Sequence, residues 1–162
     1  VDVTAGFTAN LSNSNQFAYI IPSVSFDYKL AANGLLVLAT KLKAHINFSN
    51  DFEFYQAATI GGKDGVRGYR NQRFTGKSSW FQNTDIRYSM YQLKTSLIPL
   101  HFGVFTGIDY GKVWIDTEAS SEWKSSFGGG IFINGAQMLS ANIGIFKGAE
   151  HARFLFSLGF RF

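Results

Sequence analysis

The sequence contains no cysteine and only two prolines in 162 residues. The first absence excludes a disulfide framework and any thiolate metal site. The second leaves long stretches of backbone able to donate every N–H to a neighbouring strand. Charged residues are scarce as well, at 16% against about 25% in ordinary globular domains. The net charge of +4 is too mild to mark a nucleic-acid partner, and its cations do not gather on a recognisable element. No run of about 18 apolar residues occurs, so there is no candidate transmembrane helix.

The chain is rich in phenylalanine and glycine, with 17 of each. Apolar residues make up 46%, yet the mean hydropathy is near zero. Apolar and polar residues must therefore be interleaved, and a period of two accounts for nearly the whole chain. Val3, Ala5, Phe7 and Ala9 alternate with Thr4, Gly6, Thr8 and Asn10. Val24, Phe26 and Tyr28 oppose Ser23, Ser25, Asp27 and Lys29, and Asn33-Gly34 then marks a tight hairpin. Leu36, Leu38, Leu42 and Ile46 oppose Lys41, Lys43, His45 and Asn47. Further on, Ile86 and Tyr88 oppose Asp85 and Arg87, and Val104 and Ile108 oppose Gly103, Gly107 and Asp109. The same rhythm continues from Trp123 to Ile133 and through Leu139, Ala141, Ile143 and Ile145 to a last strand ending at Phe162. The pattern predicts an all-β domain over residues 1–162 with eight strands in up-and-down hairpin topology, interrupted by one long loop at about 49–77.

Alternation does not say which face meets water. A soluble sandwich or a lipocalin-like barrel buries its apolar face, whereas a membrane barrel turns it outward. Three features favour the membrane barrel. The strands, about 10 to 13 residues long, suit a tilted span of the hydrocarbon core. The polar face carries Lys41, Lys43, Asp85, Arg87, Asp109, Arg153 and Arg161, and Trp80, Trp114, Trp123, Tyr88, Tyr91 and Tyr110 lie near strand ends as interfacial girdles do. The C-terminus adds a fourth: Phe154, Phe156, Leu158, Phe160 and Phe162 occupy every second place. Such an apolar edge is suited to capture by strand addition and hazardous in a soluble protein.

The long loop holds Gly61-Gly62-Lys63-Asp64-Gly65-Val66-Arg67-Gly68-Tyr69-Arg70, with four glycines among ten residues and no hydrophobic period of its own. Loops of this length in β proteins are usually functional. Asp109 falls on the polar face, and its flanking Gly107 and Gly111 leave room for a loop to approach. Arg67 offers a two-pronged guanidinium to such a carboxylate.

The Val66-Arg67-Gly68-Tyr69 segment resembles the VRGF/Y motif of the BamA/TamA/FhaC superfamily of outer-membrane insertases and two-partner transporters. Gly107-Ile108-Asp109-Tyr110-Gly111 resembles its partner motif, on the second strand after the loop. The eight expected strands then match the last eight of a sixteen-stranded family barrel. The resemblance implies a bacterial outer-membrane location and a loop folded into the lumen, with its Arg67 against Asp109. It further implies partners: outer-membrane lipids, the barrel-assembly machinery through the C-terminal strand, and further strands or a second copy that complete a larger barrel. It implies no cofactor, no metal and no catalytic residue. The function expected is insertion or translocation of outer-membrane or surface proteins.

Two alternatives remain at this level. One is a small closed eight-stranded barrel serving as a membrane anchor or surface antigen. The other is a lipid-modifying enzyme, for which His45, His101 and His151 show no Ser and carboxylate at diagnostic spacing. The glycines of the loop do not match a phosphate-binding loop, and Asp51, Glu53 and Asp64 match no calcium loop.

Overall fold

The computed structural model describes residues 2–9, 16–48, 54–93, 99–115, 122–135 and 139–160. Among these residues ten strands follow one another: β1 (Asp2–Ala9), β2 (Gln16–Lys29), β3 (Leu36–Asn47), β4 (Ala58–Ile60), β5 (Phe74–Gly76), β6 (Ser78–Leu93), β7 (Leu100–Trp114), β8 (Lys124–Gly135), β9 (Leu139–Lys147) and β10 (Ala152–Phe160). Eight of them form one antiparallel sheet in the order β1-β2-β3-β6-β7-β8-β9-β10. This is the expected up-and-down order, because β4 and β5 form a separate two-stranded sheet inside the long loop. The main strands run from 8 to 16 residues, a wider range than the periodicity suggested. Among the described residues no pairing joins β1 to β10, so the sheet is open and its two edges lie on those strands.

The turn between β2 and β3 forms as its residues require. Gly34 takes a φ of 71° and donates its N–H to the Ala31 carbonyl at 2.9 Å. The Asn33 side chain accepts from the Leu35 N–H at 3.1 Å. A side chain in this left-handed region is strained, which is why Asn-Gly closes such hairpins.

Burial separates the two faces in the sense opposite to a soluble protein. Phe26, Tyr28, Ile86, Ile108, Phe127, Ile131, Ile143, Phe154 and Phe156 are exposed, whereas Ser79, Asp85, Asp109 and Ser126 are buried. On β2, β6, β7, β8, β9 and β10 the exposed apolar phase thus points away from the loop, and on β6, β7 and β8 the buried polar residues point towards it. A bilayer satisfies the outward face, and closed pairing of the backbone is what lets strands cross it. Trp80 and Tyr88 lie eight residues apart on β6, about 27 Å at about 3.4 Å per residue. A strand tilt of about 40° brings this to about 21 Å along the membrane normal, close to the apolar band of about 25 Å between aromatic girdles. Tyr91 reaches the outward face only because the register shifts between Ser89 and Tyr91, which pairs it with Phe102. Strict alternation would have turned it inward, and the bulge inverts the phase.

Ile108 sits mid-strand on the outward face of β7 and is half exposed. Ile108→Lys is expected to lower folding stability in phospholipid vesicles by about 2–4 kcal/mol. Ser125→Lys, near the end of β8, is expected to cost about 1 kcal/mol or less. Urea titration of the folded fraction in vesicles distinguishes the two, and equal effects would place Ile108 away from the bilayer.

Candidate functional site

The long loop carries its own structure. Its base is closed by β4 and β5, with Ala58, Thr59 and Ile60 opposite Gly76, Thr75 and Phe74. Its tip turns through Gly61, Gly62 and Gly65, whose φ angles of 130°, 68° and 153° are rare for residues with a side chain. The Gly62 and Tyr69 N–H groups both donate to the Val66 carbonyl, at 3.1 and 3.2 Å.

The tip is seated on the inner face of β6–β8 by an apolar cluster. Ile60, Val66 and Tyr69 from the loop pack with Phe81 of β6 and Val113 of β7, and Phe74 joins from β5. The Tyr69 and Phe74 rings meet edge to face at 5.0 Å. A Cβ on Gly111 would lie 2.9 Å from the Val66 side chain, so this glycine provides the recess that Val66 fills. The periodicity reading found no hydrophobic pattern in the loop because none of these contacts depends on a regular repeat. Ile60, Val66, Tyr69 and Phe74 are brought together by tight turns.

Beside this cluster Arg67 enters the polar wall. Strand register sets two adjacent rows across the inner face. Asn83, Asp109 and Ser126 form one, and Asp85, Gly107, Gly128 and Phe146 form the next. Arg67 lies over the second row and reaches the first. Its Nε donates to Asp109 Oδ1 at 3.0 Å, and its Nη2 donates to Asp109 Oδ1 and to Asp85 Oδ1, each at 2.6 Å. Its backbone N–H also donates to Asp109 Oδ2 at 2.9 Å. The guanidinium carbon stands 3.9 Å from the centre of the Phe146 ring, so one face of the cation is stacked on an aromatic. A Cβ on Gly107 would stand 2.6 Å from Arg67 Nη2 and would collide with Asp85 Oδ1. The glycine is what leaves space for the guanidinium.

Asp109 is fully buried, and the Arg67 side chain keeps only 14% of its surface. The remaining lone pairs of Asp109 are filled from the same row. Asn83 Nδ2 donates at 2.7 Å and Ser126 Oγ at 2.8 Å. Asn83 also donates to the Gly65 carbonyl at 2.8 Å, and Ser126 Oγ accepts from the Gly68 N–H at 3.0 Å. Wall and loop therefore share one hydrogen-bond network. Asp85 takes a second cation, Arg87, at 3.3 Å, so two guanidiniums face two carboxylates. Burial works against the charge on Arg67, but the hydrogen bonds and fields of Asp109 and Asp85 outweigh it and hold its pKa above the ordinary value.

The loop has a second attachment, to the turn between β9 and β10. Tyr69 Oη accepts from the Ala149 N–H at 3.2 Å, and Arg73 pairs with Glu150 at 2.9 Å. Gly68 has no left-handed backbone. It is required here for approach, since a Cβ would stand 2.6 Å from that of Ser126 and collide with the Gly148 nitrogen. The structure thus brings Val66, Arg67, Gly68 and Tyr69 together with Gly107, Asp109 and Gly111. It places Phe154, Phe156 and Leu158 apart from them, exposed on the outward face of β10. Phe160 closes that strand opposite Leu139, and Phe162 lies outside the described residues, as do Asp51 and Glu53. His45, His101 and His151 sit on three different elements, β3, β7 and the turn before β10. Sequence reasoning set Asp85 and Asn83 on the polar face without joining them to Arg67 and Asp109, and did not single out Ser126 or Phe146. Asp85 and Asn83 carried a signal, since they share the polar phase of the strand that precedes Asp109. Phe146 carried none, because an aromatic on a polar phase reads as an irregularity until a cation is found on it.

A family model described as haemolysin secretion/activation protein ShlB/FhaC/HecB matches residues 3–135. The chain belongs to this family. The ShlB/FhaC/HecB match takes in β1 to β8, the long loop, and both Arg67 and Asp109. Members of the ShlB/FhaC/HecB family are outer-membrane proteins that serve protein secretion, so within the wider superfamily the match specifies the secretion branch. No curated protein and no solved structure matched the chain.

Removing one partner of a buried ion pair leaves an unpaired charge, at a cost of about 3–5 kcal/mol. Arg67→Ala and Asp109→Ala are each expected to destabilise the docked loop by roughly this amount, and the double variant by little more than either. Limited proteolysis of the 61–73 segment, read as the opening free energy in a double-mutant cycle, measures it, and additive effects would refute the coupling. Gly107→Ala is expected to weaken docking by about 1–3 kcal/mol in the same assay through overpacking alone.

Proposed function

We propose that this chain forms the C-terminal barrel portion of an outer-membrane pore that translocates a polypeptide, with residues 61–73 as a lumenal element latched to the wall. The observation that carries the reading is the buried contact of Arg67 with Asp109 and Asp85. A surface loop recognising an external partner would not commit its main cation to the inside of its own sheet. The apolar outward face takes membrane lipid as its partner. The edge that ends in Phe154, Phe156, Leu158, Phe160 and Phe162 is the segment offered to the barrel-assembly machinery.

The open sheet bears on the size of the pore. Unpaired strand edges are not tolerated in hydrocarbon, where each unsatisfied group costs several kcal/mol. Closing β1 onto β10 would produce an eight-stranded barrel, whose interior is filled by its own side chains. The docked loop, with Ile60, Val66, Tyr69 and Phe74 in a cluster of their own, occupies that interior. Further strands, from the same pore or from a second copy, relieve both conflicts and leave a lumen wide enough for an extended chain. Insertion of other outer-membrane proteins is the neighbouring activity in the superfamily, and a lumen that holds an inward loop serves translocation at least as well.

The test is secretion of the cognate exported protein by cells carrying Arg67→Ala in the full-length protein. Loss of the latch is expected to reduce secretion by about tenfold or more, the effect of at least 1.4 kcal/mol on the competent state. The level of heat-modifiable barrel in the outer membrane is expected to stay within about twofold, since the strands pair without the loop. Undiminished secretion with an unlatched loop would overturn the proposal.

A further inference from the structure

The chain has three tryptophans, and all three gather at one place outside the loop and its socket. Trp80 and Trp123 meet edge to face at 5.6 Å between ring centroids. Lys112 Nζ stands 5.6 Å from the Trp114 ring and 5.6 Å from the Trp123 ring. The register puts Trp80 directly opposite Lys112 across β6 and β7. Lys112 shares the outward phase of β7 with Tyr110 and Trp114, which are exposed. A cation has therefore been placed on the apolar face, near the strand end that leads to the longer connections. Among the described residues no carboxylate pairs with it. Glu122, the sequence neighbour of Trp123, is taken by Lys124 at 3.0 Å.

The distances matter for what Lys112 can still do. Ring contacts near 5.6 Å lie close to the limit of about 6 Å for a cation–π attraction. They steer the ammonium without engaging its three N–H donors. Indole rings settle at the level of lipid headgroups, and an ammonium held among them at that depth meets phosphate oxygens. A second feature points the same way. A groove of about 280 Å³ lies on the outward face, lined by Tyr110, Ile108 and Thr106 of β7, by Gln82, Thr84 and Ile86 of β6 and by Leu38 of β3; its Gln82–Tyr110 pair is two residues along the strands from the Trp80–Lys112 pair. Its polar side chains are spent within the protein: Gln82 donates to Thr84 at 3.0 Å, and the Thr106 hydroxyl donates to the Gly128 carbonyl at 3.1 Å. What remains presented to the bilayer is a shallow apolar channel between bulkier neighbours.

We propose that Lys112, Trp80, Trp114 and Trp123 form a binding site for the phosphate of a lipid headgroup, with one acyl chain lying in the groove between β6 and β7. The site rests on the reading that this face meets lipid, and it adds a specific ligand class to that reading. The lysine supplies a charge-assisted hydrogen bond to the phosphate, and the indoles exclude water around it. The groove sets the direction of the chain.

Residues 1–162 contain no other tryptophan, so with any tryptophan outside them replaced by phenylalanine, intrinsic fluorescence reports on this site alone. The full chain, folded in dodecyl maltoside, is titrated with dioctanoyl phosphatidic acid, with dioctanoylglycerol and with inorganic phosphate. A saturable change in tryptophan emission is expected for the phosphatidic acid only. Lys112→Gln and Thr84→Phe, which fills the groove, are each expected to weaken it by about tenfold or more, and Lys112→Arg to retain it. Heat-modifiable mobility on gels confirms that each variant is folded. An unchanged titration in folded Lys112→Gln, or an equal response to dioctanoylglycerol, would overturn the site. An equal response to inorganic phosphate would make it a soluble-anion site and overturn the lipid assignment. Quenching by a brominated detergent tests the underlying reading separately: unquenched tryptophans would mean that the face does not meet the apolar phase at all.

Discussion

The carboxylate of Asp109 is the constraint on which the rest of the site depends. It is fully removed from solvent, and a bare carboxylate in that position would be strongly unfavourable. Six donor contacts answer it. Oδ1 accepts from Arg67 Nε and Nη2 and from Asn83, and Oδ2 accepts from the Arg67 N–H, Arg67 Nε and Ser126. Two of the donor residues come from the strands on either side, and one comes from a loop 42 residues away in sequence. The carboxylate can be buried only when β6, β7, β8 and the loop are all in place. Its main effect is specificity of arrangement, because a buried ion pair is often no more stabilising than an apolar replacement.

The apolar and polar contributions to docking do different things. Ile60, Val66, Tyr69, Phe81 and Val113 bury the area that holds the loop against the wall, an effect with little directional preference. The guanidinium fixes the orientation, because its fork matches the carboxylates only at one angle and its face is set against Phe146. Gly107 and Gly111 allow both. Each withholds a side chain from the position the loop fills.

Much of this was legible in the residues. The alternation from Val24 to Phe160 gave the order and pairing of the main strands, because a period of two is dictated by the pleat. The charged, glycine-bearing phase around Asp109 marked the inner face. Arg67 and Asp109 were readable as partners through a motif whose second half lies on the strand one hairpin further on. Three things were not legible. The hydrophobic cluster of the loop has no period, so Ile60 and Phe74 looked like loop residues. The bulge after Ser89 reverses the phase of Tyr91 without any glycine or proline to announce it. Asp85 looked like one more lumen carboxylate, and only the register, which sets it beside Gly107, makes it a ligand of Arg67. Each depends on tertiary placement that local patterning does not encode.

The two rows under Arg67 also act as a reading frame. Asp109 faces inward beside Asn83 and Ser126 only when three strands are paired in one particular offset. A slip of one residue turns Asp109 to the lipid side. A slip of two brings a different residue of β6 or β8 beside it, in place of Asn83 or Ser126. The loop can dock fully only on a correctly offset sheet, so the docked state is tied to one register of β6, β7 and β8. The repetitive alternation of the strands distinguishes these offsets far less, because a slip of two residues keeps every side chain on its own face.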